Sequence, residues 1–421
     1  MAISNDKSWI ERTNVYEVNL RQYTLEGSFT AFAKSLPRLK DMGVETLWFM
    51  PITPIAQKNK KGSLGSYYAC SDYTSVNTEF GTLEEWTALI KAAQVMGFKV
   101  ILDWVANHTG WDHWWTTAHP GYYKKEGDGS FKAASGMDDI IELDFSNPAL
   151  RKAMIDAMKF WVVETGIDGF RCDLAFWVEL SFWIEAKAEL DSIKPLFWLA
   201  ELDALTYPEY MQVFDAAYTW TWMQGTEDFY KKNLPLDSLK SILRQYADVP
   251  GYKAWFTTNH DENSWNGTEY EKYGDAAKLL AVFSCTYAGI PLIYSGQELP
   301  NTKRLAFFEK DVIRWETDCQ LHALYKTLLA LRKRNAALSV IASTHFIETD
   351  KPEQVLGFLR MADNEQVLVL LNFSPYSIHF QLINSTIAGV FKNVFSGAER
   401  DFTTAKGFAL NAWDYFVFEN K

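Results

Sequence analysis

The feature that most restricts the fold of this chain is a repeating alternation of short apolar stretches with amphipathic ones. Eight stretches have the composition of buried strands, and a helical pattern follows most of them. The predicted strands cover residues 14–23, 44–50, 99–105, 169–175, 195–201, 213–218, 254–259 and 290–294. Because strands that alternate with helices pair in parallel, eight of them predict a closed (β/α)8 TIM barrel, a fold of the α/β class.

Residues that begin and end helices support this alternation. The sequence predicts helices over residues 28–42, 82–96 and 147–164. Ser28 is a typical N-cap residue of the first helix, and Gly43 directly follows that helix, as C-terminal glycines do.

The alternation is interrupted twice, which predicts two additions to the barrel. Residues 110–143 contain five glycines, so we expect a short lobe inserted after the third strand. From residue 338 short strands separated by turn residues replace the helical period. We therefore predict a catalytic barrel formed by residues 1–109 and 144–337, and a C-terminal antiparallel β-sandwich formed by residues 338–421. We interpret the sandwich as a structural cap on the barrel rather than a sugar-binding module.

Composition narrows the class of partner. The chain has 41 Lys+Arg against 53 Asp+Glu, a net charge of −12, and no Lys/Arg-rich run, so no nucleic acid is expected as a partner. Aromatic residues make up 15% of the chain. A carbohydrate-binding cleft uses such a surplus, because the C–H face of a sugar stacks on flat rings. The sequence contains no run of about 18 apolar residues, the length that a membrane span requires, so no membrane partner is expected.

The cysteines and the first residues bear on location. Cys70, Cys172, Cys285 and Cys319 are widely separated and lack metal-ligand spacing, so we interpret them as reduced cysteines in a reducing compartment. The first residues lack the apolar core of a signal peptide. We therefore expect a cytoplasmic protein, and a monomer.

Polar side chains collect at the ends of the predicted strands. In a (β/α)8 barrel the C-terminal ends of the strands meet at one rim, which carries the active site. The side chains expected at this rim are Asp103, His108, Arg171, Asp173, Glu201, His260 and Asp261. Taken alone, Arg171 and Asp173 could instead form a structural ion pair that stabilises the end of a strand. Arg171 is the only strong cation in the set, however, and buried acid in excess points to a catalytic use.

Paired carboxyl groups beside an arginine fit the cleavage of a glycosidic bond. Arg171 and Asp173 are two residues apart and would share one face of a strand, so we expect the guanidinium to keep Asp173 ionised for nucleophilic attack. Glu201 follows an apolar strand, where burial should raise its pKa and suit it to the role of general acid and base. Asp261 and the two histidines would then hold sugar hydroxyls.

With these residues in this order, the sequence resembles the α-amylase family, glycoside hydrolase family 13, from about residue 15 to residue 334. The resemblance implies that Asp173 is the nucleophile, Glu201 the acid/base and Asp261 the residue that stabilises or distorts the transition state. The matching segments are Asp103-Trp-Val-Ala-Asn107-His108, Gly169-Phe-Arg171-Cys-Asp173, Glu201, Phe256-Thr-Thr-Asn259-His260-Asp261 and the stretch from Gly289 to Glu298.

The resemblance also assigns residues that would bind substrate. Tyr68 would stack beneath the sugar whose bond is cleaved, and His108 and His260 would contact that sugar. Arg171 would be the partner of the nucleophile, and Asp103, which begins the first matching segment, belongs to the same binding set.

The sequence departs from the family on both sides of the expected cleavage point. Phe176 and Trp177 stand where many members have a Lys-His pair that meets the acceptor sugar, so we expect them to bind the acceptor with apolar surface. Tyr67 stands where glycine is frequent, which would narrow the donor side.

The chemistry needs no cofactor, but the resemblance raises the question of a structural calcium ion. Asn107 would be a ligand, with Asp138 or Asp139 as a second oxygen donor. Because the inserted lobe is short for a calcium-bound domain, we expect the protein to lack the ion.

The sequence therefore predicts a retaining glycoside hydrolase that cleaves α-1,4-glucosidic bonds of starch, glycogen or maltooligosaccharides through a covalent glycosyl-enzyme on Asp173. The alternative is an α-glucan transglycosylase or a disaccharide-acting α-glucosidase of the same family, because an apolar acceptor side excludes water. A sugar-binding protein without activity has no need of all three acids, and a metal-dependent hydrolase is disfavoured because the histidines lack ligand spacing.

Overall fold

The structure is a computed structural model, which describes residues 7–315, 319–383 and 387–420. Its first ten strands are β1 (Val15–Val18), β2 (Thr46–Phe49), β3 (Lys99–Trp104), β4 (His108–Gly110), β5 (Ile140–Glu142), β6 (Gly169–Cys172), β7 (Phe197–Asp203), β8 (Ala216–Tyr218), β9 (Tyr252–Trp255) and β10 (Ile290–Tyr294). Eight of them close a barrel in the order β1-β2-β3-β6-β7-β8-β9-β10, and every pair in the barrel is parallel. The predicted α/β barrel is confirmed.

Helices lie between the strands, and most of them connect barrel strands on the outside of the barrel. They are α1 (Leu20–Tyr23), α2 (Phe29–Ala33), α3 (Leu36–Met42), α4 (Leu83–Val95), α5 (Trp115–Ala118), α6 (Pro148–Phe160), α7 (Leu180–Asp191), α8 (Trp220–Lys232), α9 (Leu236–Ala247), α10 (Glu269–Tyr273), α11 (Ala277–Thr286) and α12 (His322–Arg334). Shorter helical turns lie at Ser8–Arg12, Pro120–Tyr122, Ala134–Gly136, Trp161–Thr165, Ala175–Trp177, Pro208–Gln212, Glu262–Asn266, Gly274–Ala276 and Ala336–Leu338.

Three predicted elements differ from the structure in extent. The strand predicted over 14–23 ends at Val18, and its last part is α1. The helix predicted over 28–42 is divided into α2 and α3, because Pro37 lies in the first turn of α3 and has no N–H to continue the hydrogen bonding of α2. In the helix predicted over 147–164, the regular α-helix covers Pro148–Phe160, and a wider helical turn follows over Trp161–Thr165.

Two apolar layers hold the barrel together. The interior layer consists of side chains that point inward from alternate positions of the strands, among them Trp48, Ile101, Phe197 and Tyr218. The outer layer packs the opposite faces of the strands against the helices. Since alternate residues on a strand share one face, Asp103, two residues after the inward-facing Ile101, also points inward, and so does Arg171, its partner on the neighbouring strand.

The lobe and the C-terminal domain lie where the sequence interrupts the alternation. In the lobe, β4 pairs with β5 in an antiparallel ribbon. The C-terminal strands are β11 (Ser343–Ile347), β12 (Val355–Ala362), β13 (Glu365–Asn372), β14 (Ile378–Gln381), β15 (Val390–Asn393), β16 (Glu399–Asp401), β17 (Gly407–Leu410) and β18 (Tyr415–Asn420). They form an antiparallel six-stranded sheet and a two-stranded sheet around one apolar cluster. The sequence predicts strands over residues 355–361, 366–372, 377–382 and 413–418, which correspond to β12, β13, β14 and β18. It does not predict β11, β15, β16 and β17, which are short and half-exposed.

No helix among the described residues combines the length and the apolar character that crossing a membrane requires.

Candidate active site

A cavity of about 400 Å³ opens at the C-terminal ends of the barrel strands. The three predicted catalytic acids line it: Asp173 follows β6, Glu201 lies in β7, and Asp261 follows β9. Tyr68 and His108 from the predicted binding set also line it. The volume lies in the lower part of the range of about 300–1,000 Å³ that is usual for ligand pockets. Acids that are far apart in the chain therefore meet in one pocket of ligand size.

Arg171 is the centre of the charge arrangement. Its side chain is fully buried, and Nη1 donates hydrogen bonds of 2.9 Å to Asp103 Oδ1 and to Asp173 Oδ1. Nη2 lies 2.8 Å from Glu201 Oε2, a close ionic contact that lacks the alignment of a hydrogen bond. One guanidinium group thus touches three carboxyl groups from three strands, and it fixes the distance between two of the predicted catalytic acids.

The strand geometry explains this meeting. Arg171 and Asp173 are two residues apart, so both side chains point into the barrel, as predicted. The parallel register of β3 and β6 places Asp103 directly beside Arg171. The register of β6 and β7 then brings Glu201, two residues beyond the partner of Arg171, to the same rim.

Burial has a larger effect on Asp173 than its arginine has. Desolvation raises the pKa of Asp173 to about 6, although Arg171 lowers it. Arg171 alone therefore does not set this pKa, because a carboxylate that loses its water is destabilised more than one guanidinium compensates when that guanidinium is shared with Asp103. At neutral pH Asp173 is still mainly ionised.

Glu201 has the higher pKa of the two acids. Burial raises its pKa to about 7, and the charges of Asp173 and Asp261 add to this effect, while Arg171 and the backbone N–H of Leu174 lower it. That N–H donates a 2.9 Å hydrogen bond to Glu201 Oε2. As the sequence predicted, burial raises the pKa of Glu201; this leaves one acid that is mainly ionised and one that keeps a substantial protonated fraction near pH 7.

His260 connects Asp261 with a carboxylate that the sequence did not identify. Its Nε2 lies 3.3 Å from Asp261 Oδ2, and its Nδ1 lies 2.5 Å from Oε1 of Glu17, a fully buried residue in β1. Burial alone would lower the pKa of His260, but these two carboxylates raise it well above the usual value. For Asp261 the effects are reversed. Burial alone would raise the pKa of Asp261, but His260 and Arg171 hold that pKa below its usual range. The two carboxylates therefore favour the protonated, positively charged form of His260.

Tyr68 forms one wall of the cavity. Its ring stacks on the ring of His260 at 15°, with the centroids 5.3 Å apart. Its hydroxyl lies 2.7 Å from His260 Nε2 and donates to Asp103 Oδ2 at 3.1 Å. The flat ring is thus held at a fixed angle, which is what stacking beneath a sugar requires.

His108 is neutral and has a nitrogen available for a ligand. Burial lowers its pKa to about 4. Its Nε2 is buried and has no hydrogen-bond partner within the part of the chain that the structure describes. Because a buried polar atom without a partner is costly, a sugar hydroxyl is a suitable ligand for it.

Phe176 and Trp177 do not line the cavity. They lie in the helical turn that follows Leu174, and the ring of Phe176 stacks on Tyr207 at 15°, with a centroid distance of 4.6 Å. Both are half-buried, and the turn that carries them packs against β7, the strand that holds Glu201. Their role at the acceptor side stays a prediction.

The residues predicted as calcium ligands do not fit a divalent cation. Lys61 Nζ lies 3.0 Å from Asp138 Oδ1 and 2.8 Å from Asp139 Oδ1, so an ammonium group already balances both carboxylates. Asn107 Nδ2 is turned toward His108 Nδ1, 3.4 Å away. No cluster of three or more His, Cys, Asp or Glu side chains that could hold a metal is found in residues 7–315, 319–383 and 387–420.

Sequence reasoning missed an aromatic cluster at the mouth of the cavity. Trp265, Phe307 and Phe308 line it, and Trp265 is 52% exposed. The ring of Phe307 lies parallel to that of Tyr68 within 21°. Trp265 lies in the helical turn Glu262–Asn266, and Phe307 and Phe308 lie between β10 and α12, so none of them carries a strand signal. Only a tryptophan four residues after the predicted segment that ends at Asp261 would have been a hint.

Two family models match the chain. One is described as alpha amylase, catalytic domain, and matches residues 4–132; the other is described as maltogenic amylase, C-terminal domain, and matches residues 344–417.

Known proteins match over nearly the whole chain. An α-amylase structure from Lactobacillus plantarum superposes with a TM-score of 0.87 at 26% identity, covering 99% of this chain and 100% of that one. A maltogenic α-amylase, AmyB, from Thermotoga neapolitana gives 0.85 at 28% identity, with 98% and 97% covered. An α-1,4-glucan:maltose-1-phosphate maltosyltransferase of Rhodospirillum rubrum is 26% identical over 83% of this chain and 55% of its own length. The chain spans about half the length of the curated relatives it matches.

Proposed function

The chain belongs to the α-amylase family of glycoside hydrolases, and from this premise we propose that it cleaves α-1,4-glucosidic bonds of starch, glycogen or maltooligosaccharides with retention of configuration. The observation that supports this most directly is the arrangement of Asp173 and Glu201 on one buried guanidinium with different pKa values. Two such acids are what double displacement requires.

In the proposed first step the Asp173 carboxylate attacks the anomeric carbon of the donor sugar while Glu201 gives its proton to the leaving glycosidic oxygen. The bond from the anomeric carbon to that oxygen breaks, and a covalent ester to Asp173 forms. In the second step the Glu201 carboxylate takes a proton from water, whose oxygen attacks the same carbon and releases Asp173. Glu201 is then protonated again and ready for the next cycle.

The remaining site residues orient the sugar and its charge. Tyr68 offers a flat ring to the C–H face of the donor, and Asp261 together with His260 offers hydrogen bonds to hydroxyls next to the reacting carbon. Arg171 and Asp103 hold the nucleophile in place from beneath. Such fixed polar groups stabilise a transition state more than water does, because they do not have to reorient.

A second candidate differs only in the acceptor. The ring of Phe176 contacts those of Trp177 and Tyr207, and the turn that carries Phe176 packs against β7, which holds Glu201. Such apolar surface at the acceptor side favours a sugar over water as the group that attacks the glycosyl-enzyme. Similarity to a maltosyltransferase supports this alternative. The protein would then be an α-glucan transglycosylase, or a disaccharide-acting α-glucosidase.

Product analysis separates the two candidates. Incubation of the protein with maltotetraose at high concentration is expected to release reducing sugar and to give products no longer than the substrate. Mass spectrometry of the time course detects longer chains directly. Substantial early formation of maltopentaose and longer products would favour the transglycosylase, and absence of any turnover of α-1,4-glucans would contradict the proposal.

We propose that neither step needs a cofactor, since carboxyl groups carry out both the proton transfer and the nucleophilic attack. Lys61 balances the charges of Asp138 and Asp139 in the way a calcium ion would. Treatment with EDTA is therefore expected to shift the midpoint of thermal unfolding by less than about 2 °C and to leave activity unchanged. A loss of stability that added calcium restores would contradict this.

We also propose that the protein is a monomer in the cytoplasm. Cys70, Cys172 and Cys285 are buried thiols that no disulfide protects, which is usual in a reducing compartment. Cell fractionation tests the location, and light scattering tests the monomeric state.

A further inference from the structure

Two segments enclose the cavity on the side opposite Glu201. Around the barrel, β7, which carries Glu201, lies four strands from β1 in either direction, so β1 is diametrically opposite. The neighbours of β1 are β2 and β10. The segments that follow them contribute Lys61, Phe307 and Phe308 to the lining of the cavity. The far wall of the cavity is therefore built from residues 61–66 and 306–310, which we name the donor-side wall.

The two halves of the donor-side wall are bonded to each other. The Leu64 N–H donates a 3.0 Å hydrogen bond to the carbonyl oxygen of Phe308. The Ser63 N–H donates to Glu309 Oε1 at 2.8 Å, and the Ser63 hydroxyl donates to the other carboxylate oxygen. Gly62 has a φ of +64°, and a Cβ there would lie 2.5 Å from Cβ of Phe308. The segments touch so closely that a glycan chain cannot pass between them.

Buried side chains anchor this wall to the barrel. Arg21 and Gln22 belong to α1, directly after β1, and both are buried. Arg21 Nη1 donates to the carbonyl oxygen of Gly65 at 3.0 Å. Gln22 Nε2 donates to the carbonyl oxygens of Ala306 at 2.9 Å and Glu309 at 2.7 Å. Both halves are thus fixed from below, and the wall is part of the rigid framework.

The wall continues on both flanks. On one flank Lys61 forms ion pairs with Asp138 and Asp139 of the lobe. On the other flank the ring of Trp265 packs against Phe307 and Phe308, with centroid distances of 5.4 and 5.7 Å. The enclosure therefore runs without a break from the lobe after β3 to the turn after β9.

The positions of the two acids decide which part of a substrate meets this wall. Glu201 protonates the leaving oxygen, so the leaving part of the chain lies beside Glu201. The sugar attached to Asp173 continues in the opposite direction, toward the donor-side wall. In an α-1,4-glucan that direction leads to the non-reducing end.

We infer that the donor-side wall makes this a blind-ended site, so that the enzyme removes short units from non-reducing chain ends and does not cut interior bonds. The cavity volume of about 400 Å³ agrees with a short donor. The donor-side wall lies opposite Glu201 and therefore does not limit the length of the chain on the acceptor side. This inference rests on the proposed function, because it assigns the direction of the substrate from the roles of the acids.

The test compares two chromogenic maltoheptaosides, one with a free non-reducing end and one whose end carries a 4,6-ethylidene group. The first cleavage is followed by separation of products. The wild-type protein is expected to cleave the blocked substrate at least about 100-fold more slowly, because the block prevents the end sugar from entering the closed site. Equal rates would overturn the inference and leave the proposed function intact. Failure to cleave either substrate would instead overturn the proposed function.

Variants of the donor-side wall test whether this wall causes the slow cleavage of the blocked substrate. Phe308→Ala is expected to raise the ratio of blocked to free cleavage by about 10-fold, because it removes a side chain of the wall. Phe395→Ala is the matched control, since Phe395 is a half-exposed aromatic residue of the C-terminal domain, and the wild-type ratio is expected. Ser63→Ala is a second variant. It removes the hydroxyl that bonds to Glu309 but leaves every side chain that lines the cavity in place. It is also expected to raise the ratio of blocked to free cleavage. Wild-type ratios in both wall variants would overturn the assignment of the wall.

Discussion

An Asp173→Asn variant is expected to lose activity on maltooligosaccharides by roughly four to six orders of magnitude, the scale seen when a catalytic nucleophile is removed. The amide cannot form the covalent intermediate, and its oxygen is a poor nucleophile. Initial rates of reducing-sugar release measure the loss. Because Asn has the same size as Asp, the cavity keeps its shape and the ring of Tyr68 keeps its position. The variant is therefore expected to bind substrate.

Two controls make this result specific. Asp237→Asn makes the same chemical change at an exposed site on α9, and wild-type rates are expected. Thermal unfolding of Asp173→Asn is expected to be no easier than that of the wild type, since burial raises the pKa of Asp173 and the carboxylate there is unfavourable for folding. A folded Asp173→Asn variant that keeps more than about 1% of wild-type activity would refute the role of nucleophile.

A Glu201→Gln variant is expected to lose activity on natural glucans by about 10²–10⁴-fold, the contribution usual for a general acid. The loss is expected to be much smaller in the first step for an aryl glycoside with an acidic phenol, because that leaving group needs no proton. The release of phenol in the first turnover measures this step. Equal losses on both types of substrate would contradict the role of general acid.

The pH profile gives an independent measure of the same two groups. Asp173 must be ionised, so kcat/KM is expected to rise as the pH passes upward through about 6. Glu201 must be protonated, so kcat/KM is expected to fall as the pH passes upward through about 7. The result is a narrow bell with its maximum between these values. On the aryl glycoside, Glu201→Gln is expected to lose the basic limb and keep the acidic one.

Glu269 offers a matched control for the basic limb. It is also a buried glutamate whose pKa burial raises to about 7, but it lies in α10 and contacts Thr257 and Gln297 rather than the cavity. Glu269→Gln is expected to keep the wild-type limb. If the limb moves in Glu269→Gln and persists in Glu201→Gln, Glu201 is not the acid.

The sequence by itself determined the barrel and the three acids of the site. Strands of a parallel barrel are buried on both faces and read as short apolar runs, so each is visible in a few neighbouring residues. The acids follow these runs directly, and the fold places every strand end at one rim. Asp173, Glu201 and Asp261 could therefore be predicted from local signals and one topological rule.

Only the tertiary structure decided how the site is charged, supported and closed. Glu17 lies 243 residues from His260 in the chain, and Ser63 lies 246 residues from Glu309, yet each pair is in contact. Nothing in the local sequence marks such partners, because a contact across a barrel depends on strand order and register rather than on neighbouring residues. For the same reason the pKa of Asp173 could not be predicted from its sequence neighbour Arg171 alone. That pKa depends on how completely water is excluded and on how many carboxylates share one guanidinium, and both are properties of the assembled barrel.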